Sequence, residues 1–206
     1  MKIVAISAGL GEPSSTQLLG ERLLKAAGAD QVHHVELRLL AHDLVNSLLT
    51  RMQSPALEQV ITEVVEADAL IVVSPVYNAS VSGLFKMFFD VLHEGALLDK
   101  PVLLAATGGT LRHSLAIDQA MLPLFFYLKA AVAPTAVFAA TDDWGDADSG
   151  LEGRIQRASR ELAAMVRVRR GESLGDVVDE PQRKERPATA DDFTVTKSFE
   201  EMFNAI

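Results

Sequence analysis

Residues 69–92 read ALIVVSPVYNASVSGLFKMFFDVL: an apolar run, then small and polar residues around Pro75 and Tyr77, then an amphipathic helical pattern. Five apolar residues in succession, 69–73, without polar alternation describe a strand buried on both faces, as in a parallel sheet covered by helices. Residues 74–78, Ser-Pro-Val-Tyr-Asn, follow as a turn, and 84–93 as the helix that carries the chain back. The same order recurs along the chain. Apolar runs at 2–6 and 102–106, with weaker ones at 32–37 and 135–139, alternate with helical patterns at 16–27, 55–67, 84–93, 111–130 and 153–170. Ser54-Pro55 is a strong helix start, because serine caps free amides and proline has none to leave unpaired. Right-handed crossovers then give a doubly wound three-layer α/β sandwich with a five-stranded parallel sheet. Residues 38–53 form an extra connection with a short helical pattern at 43–49, expected to shape a contact between subunits.

With 206 residues, 49% of them hydrophobic, and a mean hydropathy of +0.17, the chain can bury one sizeable core and is short for two. Twenty-eight acids against 19 bases leave a formal net charge of −9, which disfavours nucleic acid and anionic membrane surfaces as partners. The absence of cysteine excludes disulfides, thiolate metal sites and a catalytic thiol. The five histidines, His33, His34, His42, His93 and His113, have no ligand spacing, so no metal site is expected. The N-terminus MKIVAISAG begins a strand at once, without the apolar core and cleavage site of a signal peptide, which points to the cytoplasm. The apolar stretch 122–140 is interrupted by Lys129 and divided by Pro134, so a helix end and a strand start are expected there, not a membrane span. After residue 171 the composition shifts: 172–206 holds nine acids and four bases, with Phe193, Val195, Phe199, Met202 and Phe203 as apolar exceptions. The expected division is one domain, 1–171, and an acidic extension, 172–206, that packs on a subunit or a partner.

In an open parallel sheet, ligands bind beyond the carboxyl ends of the strands, where the strand order reverses. Three loops should converge there: 7–16, 74–83 and 107–113. The first leads into a helix N-terminus, whose free amides favour a phosphate, and Ser14, Ser15 and Thr16 add hydroxyl donors. A capping box, Ser14 with Gln17, explains part of this stretch without any ligand. Gly9-x-Gly11-x-x-Ser14, with Glu36 downstream, is also two-thirds of a dinucleotide fingerprint. The third glycine is a serine, however, and a hydroxyl cluster suits a terminal phosphate monoester better than a bridging pyrophosphate. In the second loop Pro75 adds stiffness, Ser74 and Asn78 can satisfy turn amides, Tyr77 offers a flat amphipathic face, and Ser80, Ser82 and Gly83 allow close passage. In the third, Thr107-Gly108-Gly109-Thr110 is free of bulk and leads to Arg112 and His113, so backbone amides can approach a ring edge. A phosphate at one end and a planar heterocycle between the other two loops is the shape of FMN.

In this order and spacing, three groups of residues resemble the NAD(P)H-dependent FMN reductase family of flavodoxin-like proteins. They are Ser7 with Ser14-Ser15-Thr16, Ser74-Pro75-Val76-Tyr77-Asn78 with Ser82-Gly83, and Thr107-Gly108-Gly109 with His113. The resemblance is closer to the reductases that supply reduced flavin to luciferase-like or alkanesulfonate-type two-component monooxygenases, and it covers residues 1–170. Many members carry an arginine in the first loop, where this chain has Glu12. The likeness implies a flavodoxin-like fold, FMN and NAD(P)H as cofactors, and all the residues just grouped except Ser74 and Gly83 as cofactor contacts. It further implies hydride transfer from nicotinamide to flavin with no catalytic side chain, since the cofactors carry the chemistry. The reduced flavin would pass to a flavin-dependent monooxygenase. Three alternatives share these residues: a quinone, azo or chromate reductase that keeps its FMN, a flavodoxin-like electron carrier, and a Rossmann dehydrogenase. Apolar surface expected on the 84–93 and 111–130 helices, together with the family, predicts a homodimer or homotetramer.

Overall fold

The computed structural model describes residues 1–145 and 147–172, so the extension expected at 172–206 lies, from Ser173 onward, outside the described residues. The three strongest apolar runs become β1 (Lys2–Ser7), β3 (Ala69–Tyr77) and β5 (Pro101–Gly108), side by side and parallel: Ile6 stands opposite Val72, and Val72 opposite Leu104. β2 (Gln31–Glu36) adds to the free side of β1. Beyond β5 the edge position is shared by β6 (Ala131–Val132) and β7 (Val137–Ala140), both parallel to β5. The gap between them contains Pro134, which has no amide to give to a ladder. The resulting order, β2-β1-β3-β5-β6/β7, is the flavodoxin-like doubly wound arrangement with its five strand positions in the expected places.

Alternate residues of each strand feed two separate cores. Val4, Ile6, Leu70, Val72, Val102 and Leu104 point to one face, where α2 (Ala41–Thr50), α3 (Pro55–Glu66), α4 (Gly83–Asp90) and α5 (Leu122–Tyr127) supply Leu44, Leu57, Phe85 and Phe125. Ile3, Ala5, Ile71, Val73, Leu103 and Ala105 point to the other, against Leu19 and Leu23 of α1 (Ser15–Ala27) and Ile155 and Leu162 of α6 (Leu151–Arg169). Burial on both sides is why these runs carry no polar alternation. α1 reaches β2 across Gly20, where a Cβ would come within 3.0 Å of His34 Nε2. Burial holds that imidazole below its ordinary pKa, as a neutral packed ring. Ser54 caps α3 as expected, its Oγ accepting from Leu57 N at 3.2 Å. Among the described residues no helix is long and apolar enough to cross a membrane.

Two elements differ from expectation. The turn read at 74–78 is largely strand: β3 runs on to Tyr77 and folds back antiparallel onto β4 (Ser80–Val81), with Asn78 and Ala79 both at positive φ, 49° and 65°. A two-residue loop with two positive φ values is the hairpin turn whose twist matches its strands. The helix read at 111–130 breaks into a 3₁₀ turn at Leu111–His113, a π turn at Ile117–Met121 and α5. Pro123 falls in the first turn of α5, where its missing amide is tolerated. The 38–53 connection does hold the short helix expected at 43–49, as α2, entered through a 3₁₀ turn at Leu37–Leu40.

At the amino edge of the sheet Lys100 is buried, and its ammonium donates to Val65 O at 2.9 Å and Ala67 O at 2.5 Å, closing the carboxyl end of α3. Burial first, then the nearby Arg169 charge, lowers its pKa to about 8. Below that pH folded and unfolded chains both carry the proton and the cost of burying the charge is fully present. Between about 8 and 10.5 the folded chain has shed the proton and the unfolded chain has not, so stability rises with pH across this window. We expect a gain of about 2 kcal/mol, read by urea denaturation at pH 7 and pH 10. Lys100→Met should abolish it; an unchanged slope in the variant would assign the effect to another group.

Candidate active site

At the carboxyl edge of the sheet the loops enclose a cleft of about 440 Å³, within the range that holds small ligands and cofactors. Its first wall is the segment leaving β1. Ala8 N donates to Val73 O at 3.0 Å, tying the loop to β3, and the chain then doubles back so tightly at Gly9 that a Cβ there would lie 2.2 Å from Ser14 Oγ. Ser14 caps α1 by accepting from Gln17 N at 3.2 Å. Its hydroxyl hydrogen stays available to a ligand, and Ser15 follows exposed on the first turn. Thr16 is only 2% exposed, and its Oγ1 lies 2.8 Å from Thr107 Oγ1. That bond locks the first loop to the end of β5.

The second wall is the β3–β4 hairpin, braced from below by two serines. Ser74 Oγ donates to Pro75 O at 2.9 Å and accepts from Ser82 N at 3.0 Å; Ser82 Oγ accepts from Phe85 N at 3.2 Å and donates to Ala8 O at 3.4 Å. This brace holds Pro75, Val76 and Tyr77 against the cleft, with Tyr77 44% exposed. Gly108 and Gly109 form the third wall.

Of the residues named from sequence, Ser14, Ser15, Thr16, Pro75, Val76, Tyr77, Thr107, Gly108 and Gly109 line the cleft together. Four do not line it. Ser7 is buried at the end of β1, Ser82 is the internal brace and cap of α4, and Asn78 takes the positive-φ corner of the hairpin. His113 is exposed and lies beside Gly108. Gly9, Leu10, Gly11 and Pro13 of the first loop line it as well, and two lining residues lie outside the three loops read from sequence, Thr141 and Trp144, on the 3₁₀ turn that follows β7. The rule that converges three loops at this edge applies equally to the fifth, and the lone tryptophan in it was the available signal. Asp143 anchors that turn by accepting from Ala140 N at 2.8 Å and pairing with Arg154 at 3.0 Å. Arg22, itself 2.7 Å from Glu152, lies 5.7 Å over the Trp144 ring.

Among the described residues no charged side chain lines the cleft, so anion binding by them rests on hydroxyls, helix-start amides and the dipole of α1. FMN suits this chemistry: neutral donors at the end formed by Ser14, Ser15 and Thr16, and for a ring a wall of Pro75, Val76 and Tyr77 facing a small-residue wall at 107–109. Residues 1–145 match the model of the NADPH-dependent FMN reductase family. The chain belongs to that family. It is 39% identical over 171 residues to an "FMN reductase (NADPH)" of Pseudomonas aeruginosa, covering 80% of this chain and 91% of that one. It is 38% identical over 172 residues to the "NADH-dependent FMN reductase SfnF" of Pseudomonas fluorescens, with coverage of 80% and 91%. The X-ray structure of an oxidoreductase from Corynebacterium diphtheriae superposes with a TM-score of 0.78 at 40% identity, covering 84% of this chain and 98% of that one. This NAD(P)H-dependent FMN reductase is thus an oxidoreductase with FMN and a reduced nicotinamide nucleotide as its cofactors.

Proposed function

We propose that this reductase works as a flavin supplier: it reduces FMN with NAD(P)H and gives up the reduced flavin to a flavin-dependent monooxygenase. The observation that carries this reading is the uncharged lining of the cleft among the described residues. A dianionic phosphate held by hydroxyls and helix amides, without an ion pair, is held in a way that permits exchange. FMN, once bound, supplies the hydride-accepting ring. The protein's part is to orient it: Ser14 and Ser15 at the phosphate, the Pro75–Tyr77 and Thr107–Gly109 walls along the ring, and Trp144 at the fifth loop. Resemblance to reductases that serve two-component monooxygenases supports the release step. Self-association draws on exposed Phe126 and Tyr127 at the end of α5 and exposed Leu39, Leu49 and Met52 around α2.

The test combines turnover and binding. NADH and NADPH oxidation in air should depend on added FMN. The single tryptophan lines the cleft, so FMN should quench its fluorescence to saturation. A preparation that is yellow as purified and turns over without added FMN, given a quinone, would establish the flavin-retaining alternative. Neither quenching nor turnover would remove flavin from the cleft altogether. Light scattering on the same preparation reads the assembly state, and a 22.2 kDa monomer would end the self-association proposal.

A further inference from the structure

The loop that carries the phosphate donors also carries an acid. Glu12 lies between Gly11 and Pro13, both of which line the cleft, so a carboxylate sits one residue from the wall that would face a dianion. Its partner comes from another element. Arg38, on the 3₁₀ turn after β2, places Nη1 2.9 Å from Glu12 Oε2 and Nε 2.9 Å from Glu36 Oε2, while Gln17 Nε2 donates to Glu36 Oε1 at 3.4 Å. One guanidinium therefore spans two acids. Glu12 is 74% exposed in its side chain, and a pair so open to water contributes little to folding. What the arrangement controls is where the Glu12 charge points and whether it is offset.

We infer that Arg38 is a positioning residue for flavin phosphate recognition: it draws the Glu12 carboxylate toward β2 and neutralises it, so the hydroxyl and amide donors at the start of α1 can accept a dianion. The inference rests on the FMN reading of the cleft and deepens it. It gives the chain a requirement that follows from its acidic first loop, met through residue 38 and not through a base in the loop itself. Since the effect is electrostatic, it concerns the phosphate and leaves the ring walls at 75–77 and 107–109 untouched.

The experiment titrates the parent, Arg38→Gln, Glu12→Gln and the double variant with FMN and with riboflavin, which lacks the phosphate, reading Trp144 quenching. Arg38→Gln should weaken FMN about tenfold and riboflavin less than about twofold. Glu12→Gln should bind FMN at least as well as the parent, and the double variant should return to within about threefold of it, because the repelling charge is gone. Arg38→Gln binding FMN like the parent, losing both flavins equally, or staying weak in the double variant would each overturn the inference. Where riboflavin binds too weakly to titrate, the double variant alone decides. A parent that binds neither flavin would instead sink the FMN reading beneath it.

Discussion

Gly9→Ala is expected to weaken FMN binding at least about a hundredfold while the chain stays folded. The Cβ it adds would lie 2.2 Å from Ser14 Oγ and 3.1 Å from Thr16 Cβ, both on the short segment that the loop doubles back upon. Ser14 cannot yield without giving up its bond to Gln17 N, and Thr16 cannot move without breaking its 2.8 Å contact with Thr107. The folding cost is a weakened cap and some overpacking, about 1–3 kcal/mol. The binding cost is larger because the same shift misplaces the Ser14 and Ser15 hydroxyls and the α1 amides together. Hydrogen bonds to a charged group are worth about 1.5–3 kcal/mol each, so losing two of them accounts for the hundredfold. Trp144 quenching measures the affinity, and circular dichroism checks the fold. A variant that binds FMN within about threefold of the parent would show that the loop relaxes freely and that Gly9 is not what shapes the phosphate end.

Phe85→Ala should produce the largest loss of stability, about 3–5 kcal/mol. Phe85 is fully buried on α4, with its ring centroid 4.8 Å from Phe89 and 6.3 Å from Phe125, and Phe89 in turn lies 4.9 Å from Phe125 and 5.3 Å from Phe88. Removing it takes a fully buried ring from a four-ring cluster that joins α4 to α5. The cavity would be ringed by stiff aromatic side chains that cannot collapse into it, which puts the cost at the upper end for large-to-small changes. Urea denaturation of parent and variant gives the difference; a loss under about 1.5 kcal/mol would mean the cluster repacks.

Much of the fold was legible from sequence because its signals are local or periodic. A strand buried on both faces must be apolar throughout, which is why 2–6, 69–73 and 102–106 were readable as β1, β3 and β5. Helix starts are local, so Ser14 with Gln17 and Ser54 with Pro55 were legible, and both serines cap their helices. The misreadings also have physical causes. The Asn78-Ala79 hairpin lacks the glycine that usually announces two positive φ values, so its strand looked like a turn. Ser82 stands immediately before a helix, where a serine is more often a cap, and its hydroxyl caps α4 outside the cleft lining.

By itself, then, the sequence determined the order of the main strands and helices, the edge of the sheet where the loops form a cleft, and nine of the residues that line it. Burial periodicity and helix-start chemistry act between near neighbours and leave their imprint in the chain. Only the tertiary structure decided that Thr16 meets Thr107 across 91 residues, that Ser74 and Ser82 brace the hairpin against Ala8, that Trp144 closes the fifth loop, and that Arg38 spans Glu12 and Glu36. Each of these joins side chains from different elements, and such contacts have no period or spacing along the sequence: they exist only once the sheet has brought its loops to one edge.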